Sequence, residues 1–510
     1  MFTFSETDTD HNFWRRITPA LGAVLPDGMK STIDYRNKLI LAPMVRVGTL
    51  PMRLLALEYG ADLVYTEEIV DWKLLRAERY INEVLGTIDY IDTTDGTVVF
   101  RTCTEERPKV ILQIGTASVE RAVAVGKLVQ DDVAAIDVNM GCPKDFSIKG
   151  GMGVALLYDL PRAKAILEAL VATVQIPVTC KIRVMPDLEE TVRWAQELQS
   201  TGISAIGVHG RTKTERPRDP VNEEAIAAVA KALHIPVIAN GGSQSITRRH
   251  DVLKFAQRCA TTSAMVARAA EWNCSVFRPD GPLPLDDVIR RYLELSVRYD
   301  NSPSNTKYCV QMMLRSLQET PIGRRLLDSQ TMQQICDIWD RGEYCRETQL
   351  RYHYAGIKGR RACRPRTLST DDNEANDTKK QCVEESNNQN DHQIVEPLHE
   401  ENVCFIRSNF ADDTTLPKSK LYLHALRSGL GRAQYEVQQK DKLFRAFIRL
   451  DGQRYTSSFW EKNKRYAEQA AALVCLLKRG VESRDELIRN GAMLPMERPG
   501  TDAEETENGV

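Results

Sequence analysis

The sequence predicts an α/β fold: a closed (β/α)8 TIM barrel, then a helical region, then a small α-β-β-β-α module. Three observations predict it. Eight short apolar runs alternate with helical patterns over residues 36–282, the strand signal then stops, and a compact basic stretch with alternating apolar residues follows near the C-terminus. The runs lie at 39–45, 61–65, 110–115, 134–139, 178–183, 205–209, 237–241 and 263–267, with helical patterns such as 161–174 and 188–200 between them. Strands alternating with helices form a parallel sheet, and a count of eight favours closure over an open sheet. No G-x-G-x-x-G follows the first run, which weighs against an open dinucleotide-binding sheet.

Residues 283–358 carry helical periodicity at 285–297, 307–318, 322–327 and 332–339. Their basic side chains (Arg290, Arg291, Lys307, Arg315, Arg324, Arg325) belong either to a surface facing a polyanion or to solvated helix faces. Residues 359–413 read as a disordered acidic linker, because so few apolar groups cannot offset the entropy of ordering a chain. The module at 414–480 has about nine more Lys and Arg than Asp and Glu. Within it, Phe444, Ala446, Ile448 and Leu450 alternate with Arg445, Phe447 and Arg449, and Asp451-Gly452 signals a tight hairpin. Residues 1–35 stay unassigned, and 481–510 read as an acidic tail.

Composition excludes several classes. The chain has 510 residues and a formal net charge of −2, so bulk charge selects no partner. No run approaches the roughly 18 apolar residues of a membrane span. The acidic, polar start at 1–11 does not resemble a signal or transit peptide. Twelve cysteines without a CxxC pair indicate reduced thiols and no metal cluster. The expectation is a cytoplasmic monomer without a membrane or DNA partner.

In a parallel barrel the C-terminal strand ends surround one site. Seven of the eight ends here carry ligand-type groups: Pro43-Met44-Val45, Gln113, Asn139, Lys181, His209, Asn240-Gly241-Gly242 and Ala267-Arg268. The Gly241 and Gly242 amides with the Arg268 guanidinium suit a phosphate dianion. Gln113, Asn139 and Lys181 suit the polar edge of a heterocycle, and Met44 offers it an apolar floor. That combination suggests flavin mononucleotide (FMN). Beyond the fourth run, Gly141 and Pro143 break the strand and present Cys142 to whatever binds. Each piece has a plainer reading: Lys181 paired with a carboxylate, His209 a core residue, Gln113 and Asn139 loop ties, Cys142 a buried small side chain.

The stretches Leu41-Ala42-Pro43-Met44-Val45, Asn139-Met140-Gly141-Cys142-Pro143, Lys181-Ile182-Arg183, His209-Gly210-Arg211-Thr212 and Asn240-Gly241-Gly242 resemble the motifs of the tRNA-dihydrouridine synthases over about residues 36–345. The basic module resembles a double-stranded-RNA-binding domain, a pairing similar to the eukaryotic branch acting on uridine 20 of the D-loop. The resemblance implies a flavoenzyme reducing the C5–C6 bond of a tRNA uridine, with NADPH as reductant. It assigns FMN to the strand-end residues named above and proton donation to Cys142. It also implies RNA contacts at Lys418, Lys420, Lys462, Lys464 and Arg465. Glu468 and Leu423 depart from that domain's usual pattern, so structured tRNA is the expected ligand rather than long duplex. A flavin-dependent oxidoreductase of a free pyrimidine and an RNA-binding protein with an inactive barrel are the rival readings.

Overall fold

The computed structural model describes residues 33–93, 96–329, 331–355, 397–410, 412–440, 443–461, 463–490 and 492–493. Eight parallel strands close a barrel: β1 Leu39–Leu41, β2 Leu63–Tyr65, β3 Val110–Gly115, β4 Ala135–Met140, β5 Val178–Arg183, β6 Ala205–His209, β7 Val237–Asn240 and β8 Ser263–Val266. β8 pairs with β1 at Ala264 and Leu39, and β2 with β3 at Val64 and Val110, which completes the ring. These are the eight runs expected from the sequence: three coincide, the fourth is shifted by one residue, and the first two and last two are shorter.

Each strand has two faces. Ile40, Leu63, Tyr65, Ile111, Ala135, Ala205, Ile238 and Met265 fill the interior. Leu39, Val64, Leu112, Val138, Cys180 and Val208 pack outward in the larger core with the helices. That parity positions the site. Gln113, Asp137, Asn139, His209, Asn240 and Ala267 each lie two or four residues beyond an interior residue of their own strand. Several of the intervening helices start at side chains that accept from the otherwise unpaired first-turn amides, as Ser118, Asp187 and Asn222 do.

Between β2 and β3 lies an element that the sequence pattern leaves unassigned: an antiparallel sheet of Ala77–Asn82, Thr87–Asp92 and Val98–Cys103. Two of its arginines pair with buried carboxylates, Arg101 with Asp89 and Arg79 with Asp132, both at 2.6 Å. A buried Arg53–Glu106 pair, also 2.6 Å apart, ties helix Leu50–Glu58 to its end.

The helical region comprises Leu285–Arg298, Pro303–Leu314, Pro321–Asp328, Met332–Ile338 and Gly342–Ala355, and shares one core with the outside of the barrel. Several of its basic groups are structural. Arg291 pairs with Glu58 and Glu294, Arg290 with Asp287, and the Lys307 ammonium donates to the Leu327 and Ser329 carbonyls. Arg324 and Arg325 are exposed.

The C-terminal module has helices Pro417–Arg427 and Lys464–Lys478 against strands Gln434–Lys440, Leu443–Leu450 and Gln453–Ser457. Asp451 and Gly452 both take positive φ, 55° and 65°, in the tight turn that closes the hairpin. The expected linker 359–413 needs correction at its end. Leu398–Glu401 is a strand parallel to Gln453–Ser457, and Val403, Phe405, Ile406 and Phe410 are buried in the module's core. Four apolar residues diluted among acidic neighbours look like linker in composition, but all four join the module's core, and Phe405 meets Tyr466 in the first turn of Lys464–Lys478 edge-on. Likewise Arg484–Arg489 is helical and buries Leu487, so the tail's beginning belongs to the module. The remainder of the expected linker up to 396, residues 1–32 and residues 494–510 lie outside the described residues. No described helix is long and apolar enough to cross a membrane.

Candidate active site and nucleic-acid interface

The upper ends of β3, β4 and β5 form one hydrogen-bonded chain. Gln113 Nε2 donates to Asp137 Oδ2 at 2.8 Å, and Gln113 Oε1 accepts from Asn139 Nδ2 at 2.9 Å. Thr179 Oγ1 donates to the second Asp137 oxygen at 2.6 Å. Asn139 Oδ1 then accepts from the Gly141 and Cys142 amides at 3.0 and 2.9 Å, so its side chain builds the turn that presents Cys142. Gln113 and Asn139 are therefore loop ties, yet each amide nitrogen keeps one N–H for a ligand.

Burial pushes the Asp137 carboxyl up to about 6, against the hydrogen bonds from Thr179 and Gln113 and the charge of Lys181. Burial lowers Lys181 to about 8, and Arg183 adds to this while Asp137 opposes it. His209 is held far below its usual range, first by burial and then by Lys181, Arg183, Arg211 and Arg268. Its imidazole is neutral at physiological pH.

Two arginines absent from the expected set brace the mouth. Arg183 Nε donates to the Gly141 carbonyl at 2.7 Å, and Arg211 Nη1 to the Gly241 carbonyl at 2.9 Å. Both lie within the motifs singled out from the sequence, and Arg183 shares the face of Lys181. Gly241 has φ of 123°, and a Cβ there would stand 3.0 Å from His209 Cδ2, so only glycine fits. A Cβ on Gly242 would meet the Phe255 ring at 2.6 Å. Asn240 is buried and donates to the Met265 carbonyl at 3.0 Å, tying β7 to β8. Pro43, Met44 and Ala267 are half-buried, while Val45 and Arg268 are exposed at the rim. The charge of Arg268 reaches both His209 and Arg211. Lys181, Arg183, Arg211 and Arg268 thus converge on one mouth, which suits an anionic ligand.

Cys142 is half-buried. Burial and the neighbouring Glu68 carboxyl push its thiol up to about 11. Glu68 follows β2, the one strand end where the sequence pattern offers no ligand-type group.

A family model described as dihydrouridine synthase (Dus) matches residues 40–281, and one for the double-stranded RNA binding motif matches 417–479. A tRNA-dihydrouridine(20) synthase of Saccharomyces cerevisiae is 36% identical over 301 residues, covering 55% of this chain and 78% of that protein. The chain belongs to the dihydrouridine synthase family. A tRNA-dihydrouridine(20) synthase of Schizosaccharomyces pombe is 40% identical over 293 residues, 56% of this chain; the match spans 60% of that relative's length. A crystal structure of a tRNA-dihydrouridine(20) synthase dsRBD domain is 34% identical and covers 17% of this chain and 92% of that one, with a TM-score of 0.16.

The match to the double-stranded RNA binding motif falls on the C-terminal module. Lys464 and Arg465 are exposed on the first turn of Lys464–Lys478, which Asn463 caps by accepting from the Tyr466 amide at 2.9 Å. Lys418 and Lys420, expected to contact RNA, are engaged within the module. Lys418 Nζ lies 2.6 Å from Glu468 and over the Tyr435 ring, and Lys420 Nζ lies 2.8 Å from Glu482. Lys462 lies outside the described residues.

Proposed function

We propose that this protein reduces the C5–C6 bond of a tRNA uridine, at position 20 of the D-loop, using FMN and NADPH. The observation that carries the reading is Cys142. It is a thiol kept protonated at neutral pH, held by the Asn139 turn at a cation-lined barrel mouth, in a chain with a double-stranded RNA binding motif.

The donor set fits FMN. Arg268 and the amides of Gly241 and Gly242 would hold its phosphate, and the mouth's excess of cations favours a dianion there. The spare N–H groups of Gln113 and Asn139, with Lys181, would face the polar edge of the ring, and Pro43, Met44, Val45 and Ala267 its apolar surface. His209, neutral, would be a hydrogen-bonding partner rather than a charge. Bound there, the flavin would accept hydride from NADPH and supply it to C6 of uracil.

The residues of the chain do the rest. Cys142 delivers its proton to C5, the role of a general acid. Arg183 and Asn139 fix the loop from which it acts. Lys464 and Arg465 take up phosphates of the tRNA while the target nucleotide leaves its stack to reach the barrel mouth. All ten described cysteines are free thiols, which supports a cytoplasmic location.

The test is mass spectrometry of an unmodified tRNA incubated with the protein and NADPH. A gain of two hydrogens at one D-loop uridine supports the reading. No gain, with flavin bound and reducible, sinks it in favour of another pyrimidine substrate.

A further inference from the structure

One buried acid has no part in the chemistry described so far. Asp137 lies in the barrel interior, 1% exposed, in register with Gln113 on β3 and Thr179 on β5. Its two carboxyl oxygens accept from those neutral side chains, at 2.8 and 2.6 Å. The charge of Lys181 favours the carboxylate less than either hydrogen bond does. Burying a carboxylate on neutral partners is costly, so its place beneath the site points to what its chemistry does there.

What a carboxylate supplies at that place is direction. An amide side chain keeps its shape when turned over and exchanges donor for acceptor, so Gln113 and Asn139 can each stand two ways. The ends of the chain allow only one. An ionised Asp137 only accepts, and the main-chain N–H groups of Gly141 and Cys142 only donate. Gln113 Nε2 therefore faces Asp137, Gln113 Oε1 faces Asn139 Nδ2 at 2.9 Å, and Asn139 Oδ1 meets the two amides at 3.0 and 2.9 Å. Turning over either side chain, or both, sets like atoms against each other at two joints. The loop end is the weaker anchor, because Cys142 is only half-buried and its amide can turn to water instead. The buried carboxylate has no such alternative.

We propose that Asp137 is a positioning residue: a fixed acceptor at the foot of the chain, it sets the orientation of Gln113 and Asn139, and through Asn139 it holds the Cys142 loop in its presenting form. Its consequence for catalysis rests on the reading of Cys142 as the acid, but the orientation itself is measured without turnover.

The experiment is hydrogen exchange of the full-length protein, read by mass spectrometry at about pH 8, above the value of about 6 to which burial raises the Asp137 carboxyl. The readout is the peptide containing the Gly141 and Cys142 amides. Asp137→Asn can face Gln113 with either a donor or an acceptor, and it replaces a hydrogen bond to a charged group by one to a neutral group. Exchange in that peptide should rise about fivefold to tenfold. Gln113→Leu cuts the chain but leaves Asp137 and Lys181 in place, and should give a similar rise. Thr179→Val removes the other hydrogen bond from the carboxylate but leaves it an acceptor for Gln113, so the loop should exchange as in wild type. Peptides spanning β3 and β5 report general loosening of the barrel. An unchanged loop in Asp137→Asn would overturn the inference, as would a rise of equal size in β3, β5 and the loop. A rise in Asp137→Asn without one in Gln113→Leu would also overturn it, because the effect would then run through the charge on Lys181. Should Asp137→Asn fail to fold, Gln113→Leu against Thr179→Val decides. Dihydrouridine formation is assayed in parallel, where kcat of Asp137→Asn should fall about tenfold with KM for tRNA unchanged. Absence of product in wild type would sink the proposed function while the exchange result still decides the role of Asp137.

Discussion

Asn139 and Cys142 are joined by a 2.9 Å hydrogen bond from the cysteine amide to the asparagine side-chain oxygen, so the penultimate residue of β4 shapes the loop that carries the thiol. The same oxygen takes the Gly141 amide, and the side-chain nitrogen reaches Gln113. Asn139→Ala removes all three bonds. Losing a hydrogen bond at a partly buried site costs about 1 kcal/mol each. Turnover should fall about tenfold to a hundredfold, while Cys142 becomes more reactive to alkylation as its loop loosens. Single-turnover kinetics with tRNA checks the first outcome and peptide mapping the second.

Cys142→Ala should keep flavin and tRNA binding but lose proton delivery. General acids contribute about 10²–10⁴ in rate, so dihydrouridine formation should drop by that order with flavin content unchanged. Flavin absorbance of the purified variant and mass spectrometry of the tRNA product test both halves. Normal reduction of tRNA by this variant would remove the thiol from the mechanism.

Lys181 gives a pH dependence with a definite sign. Its amine has a value of about 8 in the folded chain against 10.5 in the free side chain. Between those values the unfolded chain binds the extra proton, so stability from this group rises as pH rises from about 8 to about 10.5. Below pH 8 the buried charge is a standing cost. Lys181→Met should therefore raise the melting temperature of flavin-stripped protein at pH 7 by a few degrees (about the effect of 1 kcal/mol) and flatten that pH dependence. The same variant should retain little flavin. Melting curves at pH 7 and pH 9.5 decide it.

The barrel and most of its mouth were legible because strand parity is visible in sequence. Gln113, Asn139, His209 and Asn240 follow interior residues at even spacing, so each run delivers its last polar group to one face. What escaped lacked that parity. Glu68 comes from the loop after β2, beyond any strand pattern. The antiparallel sheet mixes exposed charges such as Glu78 with internal pairs such as Arg101–Asp89, so its sequence reads as surface. Val403, Phe405 and Phe410 escaped because a composition window averages them with acidic neighbours.

Phe405 makes that last point testable. It stacks on Phe410 at 5.4 Å between ring centroids and meets Tyr466 edge-on at 5.0 Å. Phe405→Ala should cost about 3 kcal/mol, the size expected for emptying a buried aromatic site. A fragment beginning at 414, without Val403 to Phe410, should fail to fold where one beginning at 397 does. Heteronuclear NMR of the two fragments distinguishes them.

The RNA face should divide its lysines by their partners. Lys464 and Arg465 are exposed at a helix start, so replacing both with alanine should weaken tRNA binding. It should also reduce the salt slope by about 0.7–0.9 for each phosphate no longer neutralised. Lys418 behaves differently because Glu468 holds its ammonium at 2.6 Å. Lys418→Ala leaves a partly buried carboxylate without its partner, so its main effect should be on the module's stability, with a smaller change in salt slope. Glu468→Gln frees the Lys418 charge beside Lys464 and Arg465. Affinity should then rise a few-fold, with a steeper salt dependence than wild type. Fluorescence anisotropy with tRNA over a salt series reads both slopes. An unchanged slope in Glu468→Gln would mean that Lys418 faces no phosphate even when released.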